Sequence, residues 1–261
     1  MINIVLIGDI FGKEGKEFVA KKIYFIKKKY NPDVIIANGE NVSFGGKSMI
    51  KEDYIFLKNS GINYFTMGNH TFRNLKINEY IDETNDLVRP ANYIENVKGK
   101  GFLTFELKGK KVLLFNLLGE TFMNIKVKNP FKKADEILSK NKYDIAILDF
   151  HAETTSEKIV LGNYLSNRIN IFVGTHTHIQ TSDERILNNK MAYITDLGMC
   201  GVFDSAIGMD FHAVTNRLIH QGKGERFIEA RGGKKVLCGL FVQLDSFNLK
   251  VNKIERIQIR E

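Results

Sequence analysis

The chain predicts an α/β fold, a two-sheet sandwich of mixed sheets flanked by helices, and two observations lead there. Short apolar runs alternate with helix-spaced stretches through about the first seventy residues, the signature of βαβ units and a largely parallel sheet. Further on, paired strands separated by tight turns interrupt the alternation, and a second sheet is the simplest place for them.

The first element is Ile2 to Ile7, a short apolar run closed by Gly8-Asp9, which reads as a buried strand and turn. Lys16 to Tyr30 carries Val19, Ile23, Ile26 and Tyr30 at helical spacing, and Pro32 ends it. Asp33 to Ala37 is the second strand, closing on Gly39-Glu40-Asn41. Ile50 to Asn59 predicts a helix, and Ile62 to Met67 a third strand closing on Gly68-Asn69-His70.

Phe102 to Leu107 and Lys111 to Leu117 then flank Lys108-Gly109-Lys110 as a hairpin. A helix is expected near Phe131 to Lys140, a strand over Asp144 to Leu148 closing on His151, and a helix over Glu153 to Leu165. The apolar run Ile169 to Val173 delivers Gly174-Thr175-His176-Thr177-His178. Met191 to Thr195 precedes a glycine-bearing loop from Gly198 to Gly208, open to closing over a ligand. Phe211 to Gln221 reads as a short helix, and Val236 to Leu244 with Leu249 to Ile259 as a closing hairpin.

Bulk composition narrows the class. A chain of 261 residues that is 43% hydrophobic can bury a large core, and a single domain over 1–261 is expected, since no repeat or low-complexity linker divides it. No run of about 18 apolar residues occurs, so no membrane span is expected. The first apolar run meets Asp9 too early for a secretory signal. Cys200 and Cys238 are too few and too far apart for a disulfide framework or a zinc site, and a reduced cytoplasm fits. The net charge of +8 suits anionic partners. Part of it lies in Lys27-Lys28-Lys29 and Lys132-Lys133, each expected at a helix end where cations complement the dipole. A basic stripe interleaved with aromatics is missing, so an RNA partner is permitted without being indicated.

The chemistry concentrates at strand ends. Asp9, Glu40 and Asn69 recur at about thirty-residue intervals, the length of one strand–helix unit. Each lies just past the carboxyl end of a strand, as do His151 and the pair His176 and His178, and ligands of open α/β sheets collect at that edge. In extended backbone residues i and i+2 share a side, so His176 and His178 would face one volume. Asn41 adds a seventh side chain. Any one of these is more often an ordinary polar loop residue; the repetition over five strand ends argues for a metal site.

Carboxylates, amides and imidazoles without thiolates suit Mn, Fe or Zn. Glu40 is the candidate to bridge two ions. Two divalent ions balanced by Asp9 and Glu40 leave a surplus of about +2, or about +1 with a bridging hydroxide, which favours a phosphoester. Such a pair makes hydroxide available at neutral pH and clamps an in-line displacement. His70, one position beyond Asn69, is the candidate general acid for the departing alkoxide. His212 and His220 match no motif.

Gly8-Asp9, Gly39-Glu40-Asn41, Gly68-Asn69-His70, the His151 segment and Gly174-x-His176-x-His178 resemble the calcineurin-like metallophosphoesterases, and more narrowly their bacterial YmdB-like branch. Phe11 stands where the wider superfamily has the histidine of its D-x-H motif, and Glu40-Asn41 replaces the usual GD-x-x-D acid; both departures are shared with the narrower branch. The resemblance implies a dinuclear centre, often iron or manganese. Asp9, Glu40, Asn41 and His178 would hold one ion, Glu40, Asn69, His151 and His176 the other, with His70 as proton donor. It further implies phosphodiesterase activity, with 2′,3′-cyclic nucleotides as the leading small-molecule substrate class. A phosphomonoesterase on the same site, or an RNA-linked regulatory protein with a structural metal site, are the competing readings. Closed symmetric assemblies are common for such folds, which admits a homo-oligomer.

Overall fold

The structure, a computed structural model, describes residues 1–223 and 226–261. In chain order its first half contains β1 (Ile2–Ile7), β2 (Asp9–Ile10), α1 (Gly12–Tyr30), β3 (Val34–Asn38), α2 (Lys51–Ser60), β4 (Tyr64–Thr66), β5 (Leu87–Val88), β6 (Phe102–Leu107) and β7 (Lys110–Leu118). The second half contains α3 (Pro130–Lys140), β8 (Ile145–His151), α4 (Thr155–Leu165), β9 (Ile171–Thr175), β10 (Arg185–Leu187), β11 (Met191–Ile194), β12 (Met199–Val202), α5 (Phe211–Ile219), β13 (Lys235–Leu244) and β14 (Val251–Arg260).

Two mixed sheets form, as expected. One runs β2-β12-β13-β1-β3-β4-β5, with β14 beside β13; the other runs β10-β11-β9-β8-β7-β6. Side-chain alternation along single strands explains why they stack. In β1, Ile2, Ile4 and Leu6 meet Val112, Leu114, Ile145, Ile147, Ile171 and Val173 of the other sheet in one buried cluster. Val5 and Ile7 point the opposite way and pack with Phe18, Val19, Ile23 and Ile26 of α1. Leu113, Phe115, Ala146 and Leu148 do the same on the far side, against Ala134 and Ile137 of α3 and Leu161 of α4. The result is four layers, helix, sheet, sheet, helix.

The parallel strands decide where function can sit. β1, β3, β4 and β5 run parallel in one sheet, and β7, β8, β9 and β11 in the other. Their carboxyl ends therefore share one edge of the sandwich, and the loops leaving them converge there.

Several expectations need correction. The helix read from Lys16 starts at Gly12, and the one read from Glu153 starts at Thr155, leaving Glu153 outside it. The loop expected from Gly198 to Gly208 contains β12, whose Met199 and Cys200 pair with Asp9 and Ile10 of β2. Lys27, Lys28 and Lys29 do occupy the last turn of α1. Lys132 and Lys133 instead follow the Asn129 cap in the first turn of α3, the end where a cation opposes the dipole; Lys133 is held by Glu136 at 2.9 Å. Among the described residues no helix is long and apolar enough to cross a membrane.

Candidate metal centre

Asp9, Glu40, Asn41, Asn69, His70, His151, His176 and His178 are all brought to this shared edge. Asp9 lies in β2, immediately after β1; Glu40 and Asn41 follow β3, Asn69 and His70 follow β4, His151 ends β8, and His176 and His178 follow β9. Asp9, Glu40, Asn41 and His151 are buried to within 1%.

The histidine pair is delivered by a different geometry from the one expected. His176 and His178 have φ values of 101° and 65°, a region costly for residues with a Cβ, so the strand does not continue through them. The kink is held by polar contacts. Asp196 accepts from the Thr177 amide at 3.2 Å and from the buried Lys158 ammonium at 2.7 Å, while Asp9 accepts from the His176 amide at 3.3 Å.

Each histidine is oriented by a contact on its outer nitrogen. His178 Nδ1 donates to the Ile207 carbonyl at 2.8 Å, leaving the Nε2 lone pair turned toward Asn41 Oδ1 at 3.3 Å and Asp9 Oδ1 at 4.0 Å. Thr175 gives its hydroxyl proton to Asp149 at 2.7 Å, so the same oxygen accepts from His151 Nδ1 at 2.9 Å. His151 Nε2 then faces Asn69 Oδ1 at 2.9 Å, Glu40 Oε1 at 3.2 Å and His176 Nδ1 at 3.0 Å. The outer nitrogen of His176, Nε2, lies 3.0 Å from Glu153. Partners of this kind orient metal-ligating imidazoles and set their basicity.

Two groups of electron-pair donors thus point at each other: Asp9, Asn41 and His178 in one, and Glu40, Asn69, His151 and His176 in the other. Glu40, His151 and His176 can offer ligand atoms within 4.8 Å of one another. Atoms held roughly 2.1 Å from one cation stand about 3.0 to 3.4 Å apart, close to the separations of 2.9 to 3.3 Å found here. Asp9 Oδ1 is buried with no hydrogen-bond partner among the described residues, a costly condition that a cation would relieve. The residues fit a pair of divalent ions.

The electrostatics agree. Burial disfavours the charged form of His151, yet Glu40, Asp9 and Asp149 outweigh it and lift its pKa to about 9. Burial and the nearby His151 charge push His176 down to about 3. Burial also lowers His178, which keeps it neutral, and raises Asp9, which sits among Asp196, Glu40 and Asp149. Burial works against ionised Glu40, but His151 and His70 hold its pKa at about 2.

His70 stands at the rim, its side chain 32% exposed. Its amide donates to Glu40 Oε2 at 2.8 Å. Asn41 Nδ2 donates to the Gly46 carbonyl at 2.9 Å and lies 2.8 Å from His70 Nδ1, which makes Nδ1 the acceptor and puts the ring proton on Nε2. Burial lowers the His70 pKa. Phe11, in the position of the superfamily histidine, packs edge-on against His178 with ring centroids 5.6 Å apart. The apolar ring replaces a ligand with a wall.

Glu153, Thr175, Asp149 and Lys158 have no role in the reading of the sequence, whereas Asp196 falls in the Thr195–Gly201 stretch that shares the family resemblance. Thr175 had a usable signal, being the residue between Gly174 and His176 on a strand end. His212 and His220 are exposed, on and just beyond α5. Cys200 is buried and its thiol pKa is raised by burial, so it is a packed side chain.

Comparison with known proteins agrees with this geometry. The family model described as YmdB-like protein matches residues 5–257. A Bacillus subtilis protein named 2′,3′-cyclic-nucleotide 2′-phosphodiesterase is 41% identical over 100% of this chain and 98% of its own length. A crystal structure of a novel phosphatase from Mycoplasma pneumoniae superposes with a TM-score of 0.93 at 39% identity, covering 99% of this chain and 93% of that one. A hypothetical protein from Thermus thermophilus superposes with a TM-score of 0.92 at 31% identity, covering 100% of both chains. A family match of this extent, together with full-length relatives that keep the same two-sheet architecture, places the chain in the YmdB-like protein family.

Proposed function

We propose that the chain is a metal-dependent phosphodiesterase whose substrates are 2′,3′-cyclic nucleotides, the activity named for the Bacillus subtilis relative. One observation carries the reading: three histidines each set an outer nitrogen against an oxygen partner and turn the inner one into the cluster at ligand spacing, His178 toward Asn41 Oδ1, His151 toward Asn69 Oδ1 and Glu40 Oε1, and His176 toward His151 Nε2.

Asp9, Asn41 and His178 would hold one ion, Asn69, His151 and His176 the other, and Glu40 would serve both. Iron or manganese suits this donor set best, and zinc is compatible with it. When bound, the ions supply hydroxide at neutral pH and neutralise the phosphoryl charge. The chain supplies the rest. Asn41 and Asn69, neutral where carboxylates could stand, preserve a positive surplus for an anionic diester. The Asn41 amide orients His70 so that its Nε2–H is the donor for the departing sugar oxygen.

Turnover by the manganese-loaded protein of adenosine 2′,3′-cyclic phosphate, bis-p-nitrophenyl phosphate and p-nitrophenyl phosphate tests the reading. Diester hydrolysis that exceeds monoester hydrolysis and vanishes in Asn69→Ala and His176→Ala is expected. Monoester preference would make the chain a phosphomonoesterase, and activity surviving both substitutions would detach hydrolysis from this site.

A further inference from the structure

A cavity of about 740 Å³, within the range of small-molecule sites, is lined in part by Phe72, two residues beyond His70. Phe72, Leu75, Ile94 and Val97 give it apolar walls. The chain's own packing leaves some of them in water, Leu75 at 70% exposure and Ile94 at 53%. Two features tie the cavity to the reaction centre. Tyr93, another wall, donates its hydroxyl to the Gly68 carbonyl at 3.2 Å, one residue before Asn69. Phe72 follows His70 by two positions, a span of at most ~7 Å, and packs against Tyr93 with ring centroids 5.7 Å apart. The segment 70–72 therefore carries the proton donor at one end and a cavity wall at the other.

We propose that this cavity receives the nucleobase of the substrate nucleotide, with Phe72, Leu75 and Ile94 setting the preference for nucleotides over base-free phosphodiesters. The proposal rests on the phosphodiesterase reading. A donor at His70 would put the departing sugar oxygen on the His70 side of the phosphate, from which the base carried by that sugar would reach toward Phe72. Flat, weakly polar bases suit aromatic and aliphatic walls. Asn78 and Glu95 offer an amide and a carboxylate to a base edge, while Lys98 and Lys126 favour an anionic ligand over a neutral apolar one.

The test uses the manganese-loaded full chain and the double variant Leu75→Ala/Ile94→Ala, chosen because both side chains are exposed and their truncation spares the core. Calorimetric binding of adenosine 3′-monophosphate is compared with that of glycerol 2-phosphate, alongside turnover of adenosine 2′,3′-cyclic phosphate and glycerol 1,2-cyclic phosphate. The wild-type protein is expected to bind the nucleotide at least about tenfold more tightly than glycerol 2-phosphate, and the variant to lose about tenfold for the nucleotide alone. KM for the cyclic nucleotide rises in parallel, with kcat and glycerol 1,2-cyclic phosphate turnover unchanged. Equal wild-type affinity for the two ligands, or an equal loss for both in the variant, overturns the cavity's assignment. A base-dependent affinity lost in the variant without turnover of either diester supports the cavity and overturns the phosphodiesterase reading instead.

Discussion

Glu153 places a carboxylate oxygen 3.0 Å from Nε2 of His176, across the ring from the nitrogen that faces His151. A carboxylate there holds the proton on Nε2 and frees Nδ1 as a ligand, a common arrangement around metal-bound imidazole. Its side chain is 48% exposed, so the fold does not depend on it. Glu153→Ala is expected to weaken one metal by about tenfold, at the low end for such partners, with an unchanged melting temperature of the metal-free protein. Competition with a chelator measures it; unaltered affinity for both ions would remove Glu153 from the site.

Removing the rim donor should separate chemistry from binding. His70→Ala is predicted to retain both metals and to lose turnover by about 10² to 10⁴-fold, the usual contribution of a positioned acid or base. Metal content and steady-state kinetics on the same preparation decide it. A rate within about twofold of wild type would exclude His70 from proton donation.

Metal uptake should release a proton. In the metal-free protein the His151 pKa lies near 9 rather than at its ordinary 6.5, so below about pH 9 the ring carries a proton on the nitrogen the metal needs. Apparent metal affinity is predicted to rise with pH toward 9 and then level off. The same shift gives the metal-free fold stability that is complete below pH 6.5 and lost as pH rises through 9. Calorimetry in buffers of different ionisation enthalpy counts the protons, and an affinity independent of pH between 6 and 9 would contradict the prediction.

Gly68 is required by closeness. A Cβ there would collide with the Glu40 carboxylate and the His151 ring. Gly68→Ala is therefore expected to weaken metal binding by at least about tenfold while far-UV circular dichroism stays native, since the residue lies in a loop and the displaced groups are proposed ligands. Wild-type metal content in this variant would show that the two side chains have room to yield.

The candidate ligand positions are legible in the sequence because each follows an apolar strand, and a parallel sheet gathers such positions at one edge. Asp9, Glu40, Asn69 and His151 could be found by that logic alone. The histidine pair is legible only in part: extended backbone predicts that both rings share a side, whereas contacts from Asp196 and Asp9 bend the chain at His176 and His178. Strand β12 was hidden because Met199 to Val202 is short, contains a glycine and owes its strand state to pairing with β2 and β13, distant in sequence. Glu153 and Asp149 were invisible for a related reason, since carboxylates next to loops are common and only the fold brings these two to a histidine or its threonine partner. Lys158 reads from sequence as one more solvated lysine; its burial follows from Asp196 across the sheet edge.

Metal analysis of the purified protein, joined to anomalous diffraction from its crystals, addresses the central claim most directly. Two ions per chain are predicted, one among Asp9, Asn41 and His178, the other among Asn69, His151 and His176, with Glu40 reaching both. A chain that takes up no metal, or binds it elsewhere than among these seven side chains, would contradict the account.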